Sequence, residues 1–132
     1  MTDQELMKMA EQARQGAYAP YSHFCVGAAL LCADGRVYTG CNIENATFTP
    51  TVCAERVALF KAVSEGVRDF VAIAVIGGPC GQAGGFCSPC GVCRQVMSEF
   101  CRDDFRILLG IPDQIQAYSL KDLLPASFSL NM

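Results

Sequence analysis

The residue types that could do chemistry in this chain are three cysteines and one glutamate at a characteristic spacing. Cys53 lies two residues before Glu55, and Cys90 and Cys93 form a Cys-x-x-Cys pair later in the chain. Three thiolates can bind a zinc ion and leave its fourth position for water, whereas four protein ligands usually make a structural site. A carboxylate beside an open zinc can move protons there. The spacing therefore predicts a catalytic zinc centre.

Both groups of ligands are predicted to lie at the start of a helix, and this placement has an electrostatic consequence. Free backbone N–H groups at a helix start favour the thiolate over the thiol at Cys53 and Cys90. Three thiolates around one zinc ion leave an excess of negative charge, which would weaken the effect of the metal on the acidity of bound water. Arg56 could offset this charge by donating hydrogen bonds to the ligand sulfurs, as residues around a metal site often do.

The other cysteines and the single histidine have simpler interpretations. Cys87 and Cys90 form a second Cys-x-x-Cys pair. If Cys87 also bound the zinc ion, the site would have four protein ligands and would be closed, and Glu55 would have no role. Core thiols or a redox-active pair are further alternatives. His23 follows a turn in a polar context, which favours a surface or structural role. Five more cysteines are predicted to be ordinary buried or loop thiols: Cys25, Cys32, Cys41, Cys80 and Cys101.

Composition limits the classes of protein to which the chain can belong. Its 132 residues suffice for a single domain, and a hydrophobic content of 52% indicates that other subunits cover some apolar surface. A net charge of −3 without a basic run favours a small-molecule substrate over a nucleic-acid partner. No apolar run approaches the roughly 20 residues that a membrane span needs. Nine cysteines after a polar, acidic N-terminus that does not resemble a signal peptide predict a cytoplasmic protein without disulfides.

Hydrophobic periodicity and turn signals predict an α/β fold. The pair Asp34-Gly35 is typical of a hairpin turn. Residues 70–76 are almost entirely apolar, as expected of a central strand that is covered on both faces. The predicted strands are residues 25–32, 36–41, 70–76, 105–109 and 114–118, and the predicted helices begin near Thr2, Cys53, Cys90 and Ser119. This order predicts a three-layer α-β-α sandwich with a five-stranded mixed sheet.

Two details of this organisation concern the site. Residues 42–52 form a predicted loop of about ten residues, and long ordered loops in compact domains are often functional. The helix that begins at Cys53 is predicted to point four apolar side chains toward the core: Val57, Leu59, Phe60 and Val63.

Six short motifs occur in order along the chain, and their combination is far more specific than any one of them. They are Tyr18-Ala19-Pro20-Tyr21-Ser22-x-Phe24, Val26-Gly27-Ala28-Ala29-Leu30, Gly40-Cys41-Asn42-Ile43-Glu44-Asn45-Ala46, Cys53-Ala54-Glu55-Arg56, Pro89-Cys90-Gly91-Val92-Cys93-Arg94-Gln95 and Leu123-Leu124-Pro125-Ala126-Ser127-Phe128. With them the chain resembles the cytidine deaminase family, in particular its short homotetrameric type with three zinc cysteines. The resemblance covers essentially the whole length.

The resemblance implies a role for each residue of the metal site. One zinc ion per subunit would be bound by Cys53, Cys90 and Cys93, and Glu55 would act as the proton shuttle. The implied reaction is the hydrolytic deamination of cytidine, and of 2′-deoxycytidine, to uridine or deoxyuridine and ammonia in pyrimidine salvage. In this mechanism zinc lowers the pKa of a water molecule. Glu55 takes a proton from this water and delivers it to ring nitrogen 3, while the hydroxide attacks ring carbon 4. Glu55 then carries a second proton to the amino group, which leaves as ammonia.

Substrate-binding residues also follow from the resemblance. Phe24 would stack near the pyrimidine, Asn42 and Glu44 would bind the ribose 3′-hydroxyl, and backbone carbonyl groups near Ala54 would bind the substrate amino group. A satisfied turn asparagine and a solvated glutamate are the alternative for Asn42 and Glu44. The resemblance further implies a homotetramer with active sites shared between subunits, in which three residues reach a neighbouring nucleoside: Ala46, Phe48 and Phe128.

The chain departs from the family pattern in two places. The family usually has tyrosine at position 48, and Phe48 lacks the hydroxyl group that would contact the sugar. The loop at residues 77–85 is longer than expected, and Cys80 and Cys87 make this region richer in cysteine. Neither departure changes the predicted zinc ligands.

Three rival functions remain open from the sequence. A blasticidin-type deaminase would share the metal site. A tRNA-editing deaminase would need a basic face and usually a histidine as first ligand. A zinc-stabilised interaction module without catalysis would have four protein ligands and would not depend on Glu55.

Overall fold

Five strands and four helices follow one another in the computed structural model, which describes residues 1–130. The elements are α1 (Asp3–Arg14), β1 (Phe24–Cys32), β2 (Val37–Cys41), α2 (Ala54–Ser64), β3 (Phe70–Pro79), α3 (Gly91–Phe100), β4 (Arg106–Ile111), β5 (Gln114–Ser119) and α4 (Leu120–Leu123). Their order is the predicted one. The last two residues of the chain lie outside the described residues.

The strands form one mixed sheet in the order β2-β1-β3-β4-β5. Strand β1 pairs antiparallel with β2 and with β3, and β4 pairs antiparallel with β5. Strands β3 and β4 are parallel, because α3 carries the chain back across the sheet before β4. The predicted α/β sandwich with a five-stranded mixed sheet is confirmed.

Side-chain alternation along the strands builds a hydrophobic layer on each face of the sheet. On β3, Ile73 and Val75 point to the face that α2, α3 and α4 cover. Their neighbours Ala74 and Ile76 point to the opposite face, where α1 contributes Leu6, Met7 and Ala10. Six of the seven residues of the segment 70–76 are therefore buried between two layers of helices, as its apolar sequence predicted.

Local sequence explains where the first hairpin and the first helix form. Gly35 has a φ of 93°, a conformation that glycine adopts without strain, and the carboxylate of Asp34 accepts a hydrogen bond from the Arg36 N–H. The Thr2 hydroxyl accepts a hydrogen bond from the Glu5 N–H and so caps α1. The hairpin and the helix start predicted from these residues are both confirmed.

A glycine allows α2 to lie close against the sheet. A Cβ atom at Gly40 would lie 2.4 Å from the carbonyl oxygen of Ala54 and 2.7 Å from the Ala58 nitrogen. Any larger residue would push the start of α2 away from β2. Since Cys53 and Glu55 lie at that start, the contact also fixes the position of the candidate site.

The prediction for the buried face of α2 was wrong at one position. Phe60 is 46% exposed, whereas Ala58, Leu59 and Ala62 are buried. The helix has apolar residues on two faces. Its start lies close against Gly40 of β2, and only the face with the small alanines fits this short distance. Within residues 1–130, no helix is both long enough and apolar enough to cross a membrane.

The prediction that the cysteines form no disulfide was also wrong. Cys25 and Cys80 are bonded, with their Cα atoms 5.1 Å apart. Strand pairing causes this proximity, because Cys25 on β1 lies opposite Gly78 on β3, two residues before Cys80. The bond ties the start of β1 to the loop that precedes α3.

We expect this disulfide to stabilise the protein. It joins residues 55 positions apart, so its removal should lower the free energy of unfolding by about 2–4 kcal/mol through the entropy of the unfolded chain. Urea unfolding of the Cys25→Ser/Cys80→Ser variant and of the parent protein measures the difference. Thiol titration of the unfolded parent should find seven free cysteines. A count of nine, or equal stabilities, would show that the bond does not form.

Candidate active site

Three cysteine sulfurs meet between the first turns of α2 and α3. Cys53 is the N-cap residue of α2, Cys90 is the N-cap residue of α3, and Cys93 lies in the first turn of α3. The three Sγ atoms lie within 4.8 Å of one another, and those of Cys53 and Cys90 are 3.7 Å apart. A cluster of this size can converge on one zinc ion at the usual Zn–S distance of about 2.3 Å.

Hydrogen bonds reach the sulfurs of Cys90 and Cys53. The Cys93 N–H donates to the Cys90 Sγ over 3.4 Å, so the positive end of α3 faces that sulfur. A hydrogen bond from the Cys93 thiol lowers the pKa of Cys53, and the same contact raises the pKa of Cys93. The contact therefore favours the thiolate at Cys53 and the protonated thiol at Cys93, and a cysteine thiol loses its proton when it binds a metal.

Arg56 lies beside the sulfurs, as its position in the sequence indicated. Its Nη2 donates to the Cys53 Sγ over 3.4 Å. Its Nε is buried and has no hydrogen-bond partner among residues 1–130. A half-buried guanidinium with an unpaired N–H is costly next to neutral groups and favourable next to anionic sulfurs. The arginine therefore fits a cluster of three thiolates and a divalent metal ion.

Cys87 lies near the cluster without being part of it. Among residues 1–130, Cys53, Cys90 and Cys93 form a cluster of possible metal ligands, and Cys87 is not a member of it. Burial raises the pKa of Cys87 to about 11, so its thiol stays protonated at neutral pH. The described residues thus offer a metal three sulfurs, and two of these cysteines, Cys53 and Cys90, line the cavity described next.

Glu55 is the one buried charged residue in the described part of the chain, and only 4% of its surface is exposed. Burial raises the pKa of its carboxyl group to about 7, and the negative charge of Cys53 adds to this effect. The residue lies in the first turn of α2, two positions after Cys53. A buried carboxyl group next to three sulfurs has no evident structural purpose, whereas it suits proton transfer.

A cavity of about 260 Å³ opens onto this cluster and brings together four of the predicted site residues besides Cys53. These are Asn42, Glu44, Glu55 and Cys90. Five further lining residues were not predicted for this cavity: Val26, Thr51, Val52, Cys87 and Ser88. The sequence held signals for all five: Val26 opens the motif Val26-Gly27-Ala28-Ala29-Leu30, Cys87 forms a Cys-x-x-Cys pair with Cys90 that encloses Ser88, and Thr51 and Val52 lie in the predicted loop 42–52.

Asn42 is held by the backbone of β1. Its Oδ1 accepts from the Val26 N–H over 2.8 Å, and its Nδ2 donates to the Phe24 carbonyl oxygen over 2.8 Å. These bonds use one acceptor site and one donor, so the amide keeps a second of each for a ligand in the cavity. The structure therefore places Asn42 as a rigid polar group in the cavity wall.

Glu44 is held by the turn before β1. Its Oε1 accepts from the Tyr21 N–H over 3.0 Å and from the Ser22 N–H over 3.1 Å, and its Oε2 accepts from the Ser22 hydroxyl. The hydrogen bond from Ser22 lowers the pKa of this carboxyl group. Glu44 is thus an oriented carboxylate at the cavity wall, in contrast to the alternative of a freely solvated side chain.

The remaining predicted site residues lie outside the cavity lining. Ala54 is fully buried behind it, Phe24 is 40% exposed, and Ala46 is exposed. Phe48 is 71% exposed, and its ring lies edge-on to that of Tyr21. Phe128 is 65% exposed, and its carbonyl oxygen accepts a hydrogen bond from Gln95. One chain alone therefore does not bring Ala46, Phe48 and Phe128 to its own cavity.

A larger cavity, of about 530 Å³, lies near the disulfide and away from the sulfur cluster. Arg14 lines this cavity, and its guanidinium group donates hydrogen bonds to four backbone carbonyl groups, those of Cys25, Gly78, Pro79 and Gln82. Such an arginine fixes the ends of β1 and β3. His23, also on this side of the molecule, is exposed and takes no part in the sulfur cluster.

The pattern of sulfurs and carboxylate matches a known family. Residues 1–109 match the model described as the cytidine and deoxycytidylate deaminase zinc-binding region. The chain belongs to this family. The matched region contains the three clustered cysteines and Glu55, and it identifies the metal that the cluster suits as zinc.

Individual relatives agree with this membership along almost the whole chain. A cytidine deaminase from Halalkalibacterium halodurans is 53% identical over 98% of this chain and 96% of its own length. The crystal structure of a cytidine deaminase from Burkholderia pseudomallei superposes with a TM-score of 0.88 at 46% identity, covering 97% of this chain and 100% of that one. A blasticidin-S deaminase from Bacillus cereus is 30% identical over 98% of this chain and 94% of its own length.

Membership of the cytidine deaminase family confirms two predictions from the sequence. The chain is an enzyme of a family of hydrolytic deaminases, and its cofactor is zinc.

Proposed function

We propose that this enzyme hydrolyses cytidine to uridine and ammonia, that it also accepts 2′-deoxycytidine, and that it serves pyrimidine salvage as a single catalytic domain. The observation that carries the proposal is the meeting of three sulfurs and the buried Glu55 at a cavity that Asn42 and Glu44 also line. In a bound nucleoside, the base would lie against the sulfurs and Glu55, and the sugar would lie against Asn42 and Glu44.

Cys53, Cys90 and Cys93 would hold the zinc ion, and Arg56 would balance the charge of their thiolates. When bound, zinc with an open coordination position lowers the pKa of a water molecule and supplies the nucleophile for ring carbon 4. Cys87, whose thiol stays protonated, would remain a neutral part of the cavity wall.

Glu55 would transfer the protons of the reaction. Its position next to the three sulfurs allows it to take a proton from the attacking water and to give it to ring nitrogen 3 of the base. It would then take the remaining proton from the hydroxyl group on carbon 4 and carry it to the amino group, so that the C4–N bond breaks, ammonia leaves and the C4=O bond of uridine forms. One carboxyl group can serve both steps because its surroundings exclude bulk water, with only 4% of the residue exposed.

The two polar residues of the cavity wall would bind the sugar. Asn42 keeps one donor and one acceptor site free, and Glu44 is held by the backbone of Tyr21 and Ser22, so neither has to be ordered when the substrate binds. These properties suit a 3′-hydroxyl group, which both donates and accepts. Phe24 would contact the pyrimidine, and the backbone carbonyl at Ala54 would bind its amino group.

Ala46, Phe48 and Phe128 would complete the site of a neighbouring subunit in a homotetramer. Support comes from the exposure of both aromatic rings, since exposed large apolar groups commonly mark contact surfaces. Light scattering coupled to size exclusion should give a mass about four times the 14.2 kDa of one chain. A mass of one chain at micromolar concentration would contradict the shared site.

An ultraviolet assay with competing substrates tests the proposed specificity. We expect turnover of cytidine and 2′-deoxycytidine, and at least about 100-fold lower kcat/KM for blasticidin S, because Asn42 and Glu44 would lose their partner hydroxyl group. Activity on blasticidin S that exceeds activity on cytidine would instead support the blasticidin-type function.

The other rival functions have less support. An interaction module would need a fourth protein ligand, and Cys87 lies outside the cluster. A tRNA substrate would need a basic face, and the chain has a net charge of −3. A cytoplasmic location stays a prediction from the sequence, and the disulfide between Cys25 and Cys80 contradicts one of its premises.

A further inference from the structure

Arg94 donates three hydrogen bonds to groups near the start of α3, where Cys90 and Cys93 lie. It lies directly after Cys93, in the first turn of α3. Its Nε donates to the Pro89 carbonyl oxygen over 2.8 Å, its Nη2 donates to the Ser88 Oγ over 2.7 Å, and its Nη1 donates to the Leu123 carbonyl oxygen over 2.8 Å. The guanidinium group therefore joins three separate parts of the chain.

Two of these contacts hold the segment that presents Cys90. Pro89 directly precedes Cys90, and Ser88 lies in the wall of the active-site cavity. The chain between β3 and α3 has no helix and only an isolated bridge from Gly77 to Gly85, which leaves residues 86–90 without strand pairing. Side-chain contacts are needed to fix such a segment.

The third contact, to Leu123, joins Arg94 to a helix whose position is fixed by its own contacts. Leu123 ends α4, and this short helix is anchored at its start by the reciprocal hydrogen bonds between Ser119 and Asp122. Leu120 is 2% exposed in the core, and the Lys121 N–H donates to the Asp103 carbonyl oxygen. Through Arg94, the segment 88–90 is thus tied to an element that packs on the sheet.

We propose that Arg94 is a positioning residue that fixes the segment Ser88–Cys90 against α4 and thereby preorganises the Cys90 sulfur for zinc. The proposal rests on the proposed function, since it takes Cys90 as a metal ligand. Arg94 differs from Arg56 in acting through the backbone, because its guanidinium group bonds no ligand sulfur. Lysine cannot replace it, because an ammonium group lacks the planar set of donors that reaches three acceptors at once.

Competition for zinc with a chromophoric chelator tests this role directly. Arg94→Gln and Arg94→Lys should both bind zinc about 10–100-fold more weakly than the parent enzyme. The control is Arg102→Gln, which removes an equal charge from an arginine whose side chain is 79% exposed. Zinc affinity of Arg94→Lys equal to that of the parent would overturn the proposal, because charge alone would then suffice.

A second measurement separates positioning from general stability. The rise in melting temperature on adding zinc should be smaller in Arg94→Lys than in the parent, because weaker binding to the folded state stabilises it less. A variant that melts lower by the same amount with and without zinc would show a merely structural role and overturn the proposal. If the parent enzyme itself bound no zinc, the proposed function would fail as well, whereas equal zinc binding by parent and variants would refute only the role of Arg94.

Discussion

The Glu55→Gln variant is expected to bind zinc at the parent stoichiometry and to deaminate cytidine at least about 1,000-fold more slowly. Glutamine preserves the size of the side chain and its packing at the start of α2, and it cannot take up or release a proton. Since the proposed reaction uses the same carboxyl group for ring nitrogen 3 and for the leaving amino group, both steps should suffer. Metal analysis and single-turnover kinetics with cytidine provide the two readouts.

A matched control for Glu55→Gln is available on the neighbouring helix. Glu99 is an exposed carboxylate on α3, the helix that carries Cys93, and Glu99→Gln should keep parent activity. Near-normal turnover of Glu55→Gln would contradict the assignment of the proton shuttle. Loss of zinc from Glu55→Gln would instead show that the buried carboxyl group supports the metal site.

Two cysteines three positions apart should respond in opposite ways to the same substitution. Cys90→Ser is expected to remove most of the bound zinc and with it essentially all turnover, because a neutral hydroxyl group is a poor substitute for a thiolate ligand. Cys87→Ser should keep both, since Cys87 lies outside the cluster and its pKa is raised to about 11. Zinc content and cytidine turnover of the two variants, prepared in parallel, measure the contrast.

The outcome for Cys87→Ser decides between an open and a closed metal site. If this variant lost zinc as Cys90→Ser does, four sulfurs would hold the metal, and no position would remain for the nucleophile. The site would then be structural, and the cavity beside it would need another explanation.

The parts of the fold that local sequence controls were predictable. The Asp34-Gly35 turn, the capping residue Ser119 and the apolar run at 70–76 each act over a few residues, and each forms the expected element. The candidate site was predictable for a similar reason. Cys53 and Glu55 lie at the start of one helix, and Cys90 and Cys93 lie at the start of another. Only the proximity of these two helix starts had to be inferred.

Features that depend on strand register and on long-range packing were not predictable. The Cys25–Cys80 bond follows from the pairing of β1 with β3, a register that no local pattern reveals. The exposure of Phe60 follows from the close contact of α2 with Gly40. The engagement of Arg94 with Leu123 joins residues 29 positions apart and leaves no periodic trace in the sequence.

X-ray absorption at the zinc edge of the loaded enzyme tests most directly whether the metal has three sulfur ligands and one open position. We expect three sulfurs at about 2.3 Å and one lighter atom at about 2.0 Å, and we expect the lighter-atom shell to change when a cytidine analogue binds. A shell of four sulfurs that is indifferent to the analogue would contradict the catalytic site proposed for this chain.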